Sequence, residues 1–167
     1  MSHNMESIEA TRARFRPERM TTLFVGESAP ASGDFFYYGK NAMLSHLQRA
    51  VEQSLGPGGD FLARFKGYGW FLDDLVLEPV DKLAPRERAA KCLGARGSLA
   101  DRIAKYQPSA IVTMLLRIAD HVDAAAIVAN CRAPRYVVPF PGMGQQVRFH
   151  AAMAQIIPQL PRNDIGD

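Results

Sequence analysis

The chain has 167 residues, 47% of them hydrophobic and 22% charged, with a net charge of +3; it is long enough for one domain with a sizeable core. No run approaches the roughly 20 apolar residues of a membrane span, and the polar start, MSHNMESIEATRARFRPERM, lacks the apolar centre of a signal peptide, so a cytoplasmic location is expected. Two cysteines, Cys92 and Cys131, are too few for a disulfide framework or a four-thiolate cluster, and the four histidines show no metal-ligand spacing.

Residues 1–19 read as an amphipathic or frayed N-terminal arm, residues 20–160 as one domain, and residues 161–167 as a polar tail. No internal repeat or low-complexity tract interrupts them. TTLFVG (21–26) is a continuous apolar run and predicts a strand covered on both faces. A loop rich in glycine, proline and aromatics follows, SAPASGDFFYYGKN. Met43, Leu44, Leu47, Val51 and Leu55 then recur at helical spacing, and Gly56-Pro57 stops that helix.

WFLDDLVL (70–77) predicts the second strand. One of Asp73 and Asp74 is expected to face solvent or cap a turn, because adjacent strand residues point to opposite faces. From Pro85 to Tyr106 the pattern predicts two helices broken at Gly94–Gly97, the second opening on a capping box of Ser98 and Asp101. SAIVTMLL (109–116) and RYVVPF (135–140) predict the third and fourth strands, again as nearly continuous apolar runs. Between them Asp120 is placed to cap a helix running to about Cys131. The last helix starts near Gln145 and carries Val147, Phe149, Met153, Ile156 and Ile157. Strands alternating with helices predict an α/β protein: a three-layer α/β/α sandwich with a mostly parallel sheet of about four strands.

In such a sheet ligands bind beyond the carboxyl ends of the strands, near a switch in strand order. That rule selects Gly26, Glu27, Ser28 and Pro30 after the first strand, and Asp73 and Asp74 at the second. It also selects Arg117 after the third, and Phe140, Pro141, Gly142 and Gly144 after the fourth. Two phosphate motifs fail on inspection. GDFFYYGKN (33–41) has five residues between its glycines where a P-loop has four, and ends in Asn41 rather than a hydroxyl residue. GMGQQV (142–147) has Val147 in place of the third glycine of a dinucleotide fingerprint. Its glycines still allow backbone N–H groups to approach an anion.

The order of VGESAPASGDFFYYG, FLDDLVLEPV and VVPFPGMGQQVRF resembles the uracil-DNA glycosylase superfamily, especially its small thermophile-type branch, over roughly residues 20–157. The resemblance implies a DNA-repair hydrolase of that fold. Glu27 falls where the family holds a carboxylate near the attacking water. Phe36 falls on the base-stacking ring, with Phe35 or Tyr37 as alternatives under a one-residue shift. Asp74 falls on the base-reading Asn, and Phe140-Pro141-Gly142 on a His-Pro-Ser loop. Met143 lies near the side chain that wedges into the duplex. Two departures stand out. Phe140 has no donor for the leaving base, a loss worth on the order of 100- to 1,000-fold in rate for such a group. An ionised Asp74 only accepts hydrogen bonds, which suits an exocyclic amino group better than uracil.

Two functions are therefore expected: hydrolysis of an N-glycosidic bond with Glu27 polarising water, or recognition of a base, nucleotide or DNA without cleavage. In both, Gly26, Ser28, Pro30, Phe36, Tyr37, Asp74 and Phe140 form the base pocket. Arg117, Gly142, Met143, Gly144, Gln145 and Gln146 contact phosphate or nucleic acid. Core filling is the competing explanation for the aromatic run. No metal or other cofactor is expected, and a monomer is the default.

Overall fold

The computed structural model describes residues 2–164. It is an α/β protein with a four-stranded, all-parallel sheet of β1 (Thr22–Gly26), β2 (Trp70–Asp74), β3 (Ala110–Thr113) and β4 (Arg135–Val137), ordered β2-β1-β3-β4. The expected three-layer sandwich is present. Among the described residues seven α-helices flank the sheet. They are α1 (Ser2–Phe15), α2 (Ala42–Leu55), α3 (Phe61–Gly67), α4 (Pro85–Gly94), α5 (Arg96–Tyr106), α6 (Ala119–Val128) and α7 (Gln146–Ile156). α2 packs on α7, and α5 on α6. The chain leaves β1 toward β2, then crosses back past β1 to β3. With right-handed crossovers this reversal puts the two helix pairs on opposite faces. It also puts the switch in strand order at the carboxyl ends of β1 and β3.

β1 is central, and Leu23, Phe24 and Val25 are fully buried as its continuous apolar run predicts. The fourth strand corrects the expectation of two covered faces: Arg135 and Val137 are exposed and Tyr136 is half-buried. It is only three residues long and pairs with β3 alone, so it forms an edge. Asn41 caps α2 through a bond from Leu44 N–H, and Gly56 ends it with φ +86°. α3 was not expected. It has seven residues and two buried anchors, Phe61 and Phe65, too few to set a period, and Asp60 caps it.

Two expected caps do not form. α5 begins at Arg96, so Ser98 lies inside the helix, and Asp120 sits in the first turn of α6 without a capping bond. The N-terminal arm is ordered as a helix. Its residues form α1, and Ile8, Thr11 and Arg12 are buried against the domain. The chain beyond Leu160 is tied down as well: the Pro161 carbonyl accepts from Thr22 Oγ1 and Trp70 Nε1, both at 2.8 Å. Residues 165–167 of the expected tail lie outside the described residues.

The aromatic loop anchors one edge of the sheet. Phe36–Tyr38 form a single 3-10 turn, and the buried Tyr37 stacks between Phe15 and Phe71. Its hydroxyl donates to the Leu72 carbonyl (2.9 Å) and accepts from the Leu72 N–H (2.7 Å). β2 is an edge strand, and these are main-chain groups that no neighbouring strand satisfies. Tyr37→Phe is expected to leave both buried groups unpaired and to lower the unfolding free energy by about 1–3 kcal/mol. Urea denaturation measures this; an unchanged midpoint would show that the bonds to Leu72 contribute nothing.

Candidate functional site

The loops at the switch point enclose a cavity of about 740 Å³. The turn after β1 supplies Gly26, Glu27, Ser28, Ala29 and Pro30, and the aromatic loop supplies Phe35 and Phe36. Asp74 ends β2 in the floor. Met114 to Arg117 follow β3, and Pro139, Phe140, Gly142, Met143 and Gln145 follow β4. Most of the lining is apolar; Arg88 and Arg148 add charge to that of Arg117. Of the fourteen residues given a catalytic, base-pocket or phosphate-contact role from the sequence, eleven thus meet in one place.

Three do not. Tyr37 is not in the cavity wall, because its ring and hydroxyl are committed to the core and to Leu72. Gly144 and Gln146 also lie outside it; Gln146 is an exposed first residue of α7. Of the two remaining rings, Phe36 lines the cavity while held edge-on by Tyr37 at 4.9 Å and packed on Phe65. Phe35 lines it too, with the Arg12 guanidinium 5.1 Å from its centroid. Core filling and cavity lining are therefore not exclusive here: both rings are nearly inaccessible and both form the wall.

The floor rests on a charge cluster. Both Asp73 and Asp74 are buried, which corrects the expectation that one would face solvent or cap a turn. Arg12 bridges them: Nη2 donates to Asp74 Oδ2 at 2.6 Å, and Nε lies 3.8 Å from Asp73 Oδ1 without a hydrogen bond. Asp73 is further held by Arg102 Nη1 at 2.9 Å and Tyr106 Oη at 3.4 Å, and it accepts from the Asp74 N–H. Asp74 Oδ1 has no partner among the described residues. Gly26 makes room for it, since a Cβ at 26 would lie 2.9 Å from that oxygen.

Burial pushes the Asp74 carboxyl up from 3.8 to about 6; the Arg12 charge opposes the rise and Asp73 adds to it. The titration of Asp74 thus moves up toward neutral pH. Burial also works against the Arg12 charge, but Asp74 and Asp73 outweigh it and hold Arg12 above its ordinary value.

The wall after β1 is a second ion cluster. The Glu27 side chain is 9% exposed and sits between two arginines. Arg88 donates to Oε2 from Nε (2.9 Å) and to Oε1 from Nη2, while Arg117 Nη2 reaches both oxygens at 3.0 and 3.1 Å. A carboxylate has about four lone-pair sites, and four guanidinium contacts and the Cys92 thiol, 3.7 Å from Oε2, compete for them. Ser28 Oγ accepts from the Val80 N–H and ties this turn to the segment after β2.

At the mouth, Phe140 is 44% exposed and its ring folds over Gly142, where a Cβ would meet it at 2.8 Å. Met143 beside it is 97% exposed. Arg12, Arg88, Arg148 and Asn41 complete the site and were not foreseen. Arg12 and Arg88 meet their carboxylates across 62 and 61 residues of sequence, with no local pattern to announce them. Among the described residues no group of three or more His, Cys, Asp or Glu side chains could hold a metal ion, and no helix is long and apolar enough to cross a membrane. In comparisons with known proteins the chain matches no family model and no curated protein.

Removing one member of a buried pair exposes the cost of the other. Arg12→Met is expected to destabilise the fold by about 3 kcal/mol at pH 8. The loss shrinks at pH 5. A carboxyl whose folded pKa is raised takes up its proton in the native state first, so its contribution to stability grows as pH falls through about 6 toward 3.8 and is lost as pH rises again. Adding Asp74→Asn restores most of the stability. Equal losses at both pH values in thermal melts would refute the role given to Arg12.

Proposed function

We propose that this protein binds a nucleobase-bearing ligand, a nucleotide or a base presented by DNA, and does not cleave it. The observation that carries the reading is the cavity at the switch in strand order: an aromatic wall, one free carboxylate oxygen in the floor and arginines at the rim. A volume of about 740 Å³ suits a base with its sugar. Phe36 and Phe35 give the wall an aromatic lining, and recognition by aromatic contact tolerates any base. In its ionised form, held beside the Arg12 guanidinium, Asp74 leaves Oδ1 to accept from an amino or imino N–H and to repel a carbonyl, so cytosine, adenine or guanine edges fit better than the O4 edge of uracil. Arg117 and Arg148 suit the phosphate that such ligands carry. On a polymer, exposed Met143 and Phe140 would press an apolar edge against the base stack.

The resemblance to uracil-DNA glycosylases supports the pocket more than the chemistry. A general base needs a lone pair directed at water, and those of Glu27 are taken by Arg88 and Arg117. At the mouth, Phe140 has no polar atom with which to stabilise a leaving base.

Calorimetric titration with nucleosides, nucleotides and single-stranded oligonucleotides tests the reading, with base release from DNA carrying uracil, hypoxanthine or xanthine assayed in parallel. Saturable binding is expected, weakened about 5- to 100-fold by Phe36→Leu, with no base released. Base release that disappears in Glu27→Gln would replace binding by hydrolysis. Failure of every base-bearing ligand to bind would remove the reading altogether.

A further inference from the structure

A second cavity of about 170 Å³ adjoins the Glu27 wall and is lined by residues of α4 and of the segment leading into α6. It shares Glu27, Arg88 and Arg117 with the first and adds Cys92, Ile118 and His121. It holds the equivalent of roughly five or six water volumes, which is too small for a base with a sugar and large enough for a tetrahedral oxyanion.

The donors around it are unevenly used. One carboxylate faces two guanidinium groups, so the wall carries an excess positive charge. Glu27 engages Nε and Nη2 of Arg88 and only Nη2 of Arg117. Arg88 Nη1, Arg117 Nε and Arg117 Nη1 make no hydrogen bond among the described residues. The histidine is set as a further donor. Arg96 Nε donates to His121 Nδ1 at 2.8 Å, so the ring proton must sit on Nε2. Burial and the Arg96 charge hold the imidazole below its ordinary range, which keeps that neutral tautomer at pH 7. Cys92 contributes a thiol whose Sγ is 3.7 Å from Glu27 Oε2. Burial and the Glu27 charge push that thiol up, so it adds no competing negative charge.

The geometry points to an oxyanion site in this smaller cavity, taking a phosphate- or sulfate-like group on the unspent N–H donors of Arg88, Arg117 and His121. Glu27 is the internal anion that holds the two guanidinium groups in place and competes with the incoming one. The site stands on the arginines and the cavity alone and does not depend on base recognition in the larger one. Its anion has two chemical sources: free inorganic phosphate or the phosphoryl group of a ligand whose remainder occupies the large cavity through the shared wall.

The test is calorimetric and thermal-shift titration of the full chain with sodium phosphate, against sodium chloride at equal ionic strength. Saturable binding of phosphate and not of chloride is expected. Glu27→Gln is expected to tighten it about 10-fold, because it removes the competing charge and frees the guanidinium donors. A purely structural glutamate would give the opposite result, weaker binding in a less stable protein. Cys92→Met fills the smaller cavity and is expected to abolish phosphate binding while leaving any base ligand bound. If that variant does not fold, Arg117→Gln, at a side chain 55% exposed, is expected to weaken phosphate at least 10-fold. Competition then separates the sources, and either supports the site. Displacement of phosphate by a nucleoside monophosphate but not by the nucleoside assigns the phosphoryl group, and displacement by neither assigns the free ion. Equal effects of chloride and phosphate, unchanged or weaker binding in Glu27→Gln, or full binding in both Cys92→Met and Arg117→Gln would overturn it.

Discussion

Two adjacent carboxylates buried at the end of β2 set the terms for much of this molecule. Taking each ion out of water costs several kcal/mol, which only well-placed partners offset. Asp73 and Asp74 therefore need cations from elsewhere, and the fold supplies Arg102 from α5 and Arg12 from α1. The requirement explains why the N-terminal helix belongs to the domain although its sequence is polar. It also fixes the cavity floor: with Oδ2 held by Arg12, the only freedom left to Asp74 is what its other oxygen accepts.

The wall after β1 repeats the arrangement with the stoichiometry reversed. At the floor, Asp73, Asp74 and Glu9 surround Arg12; at the wall, two arginines surround Glu27. The first leaves an acceptor on a residue that lines the large cavity, and the second leaves unused donors on two residues that line both. A ligand with hydrogen-bond donors at one end and an anionic group at the other matches that polarity. The acids that looked most reactive in the sequence are thus the most constrained in the structure, and the chemistry open to a ligand lies in the atoms their partners leave unused.

How much was legible follows from what is local. The continuous apolar run of β1 announced a central parallel strand, and the polar and glycine residues at each strand end marked the rim. Edge strand β4 misled because RYVVPF is apolar in composition while only three of its residues pair, on one side. The expected caps at Ser98 and Asp120 failed because the helices start two and one residues earlier, at Arg96 and Ala119. The aromatic run could not be resolved from sequence, because a 3-10 turn turns successive rings in different directions: Phe36 to the cavity, Tyr37 into the core. Arg12 and Arg88 were out of reach because an ion pair across some 60 residues leaves no spacing signal.

The Tyr37 hydroxyl has a consequence for the behaviour of the whole sheet in solution. Unpaired strand margins are where one chain recruits another, and proteins cover them to stay apart. At β2 a single phenol occupies both main-chain groups of Leu72, so an incoming strand would have to break two hydrogen bonds and displace a stacked ring before making its own. At β4 no comparable guard is present among the described residues, and the exposed Val137 sits there beside Arg135, whose guanidinium is engaged by Asp123. The sheet is therefore polar in its sociability: closed to lengthening on one side, it has β4 as the margin from which self-association by strand addition would begin.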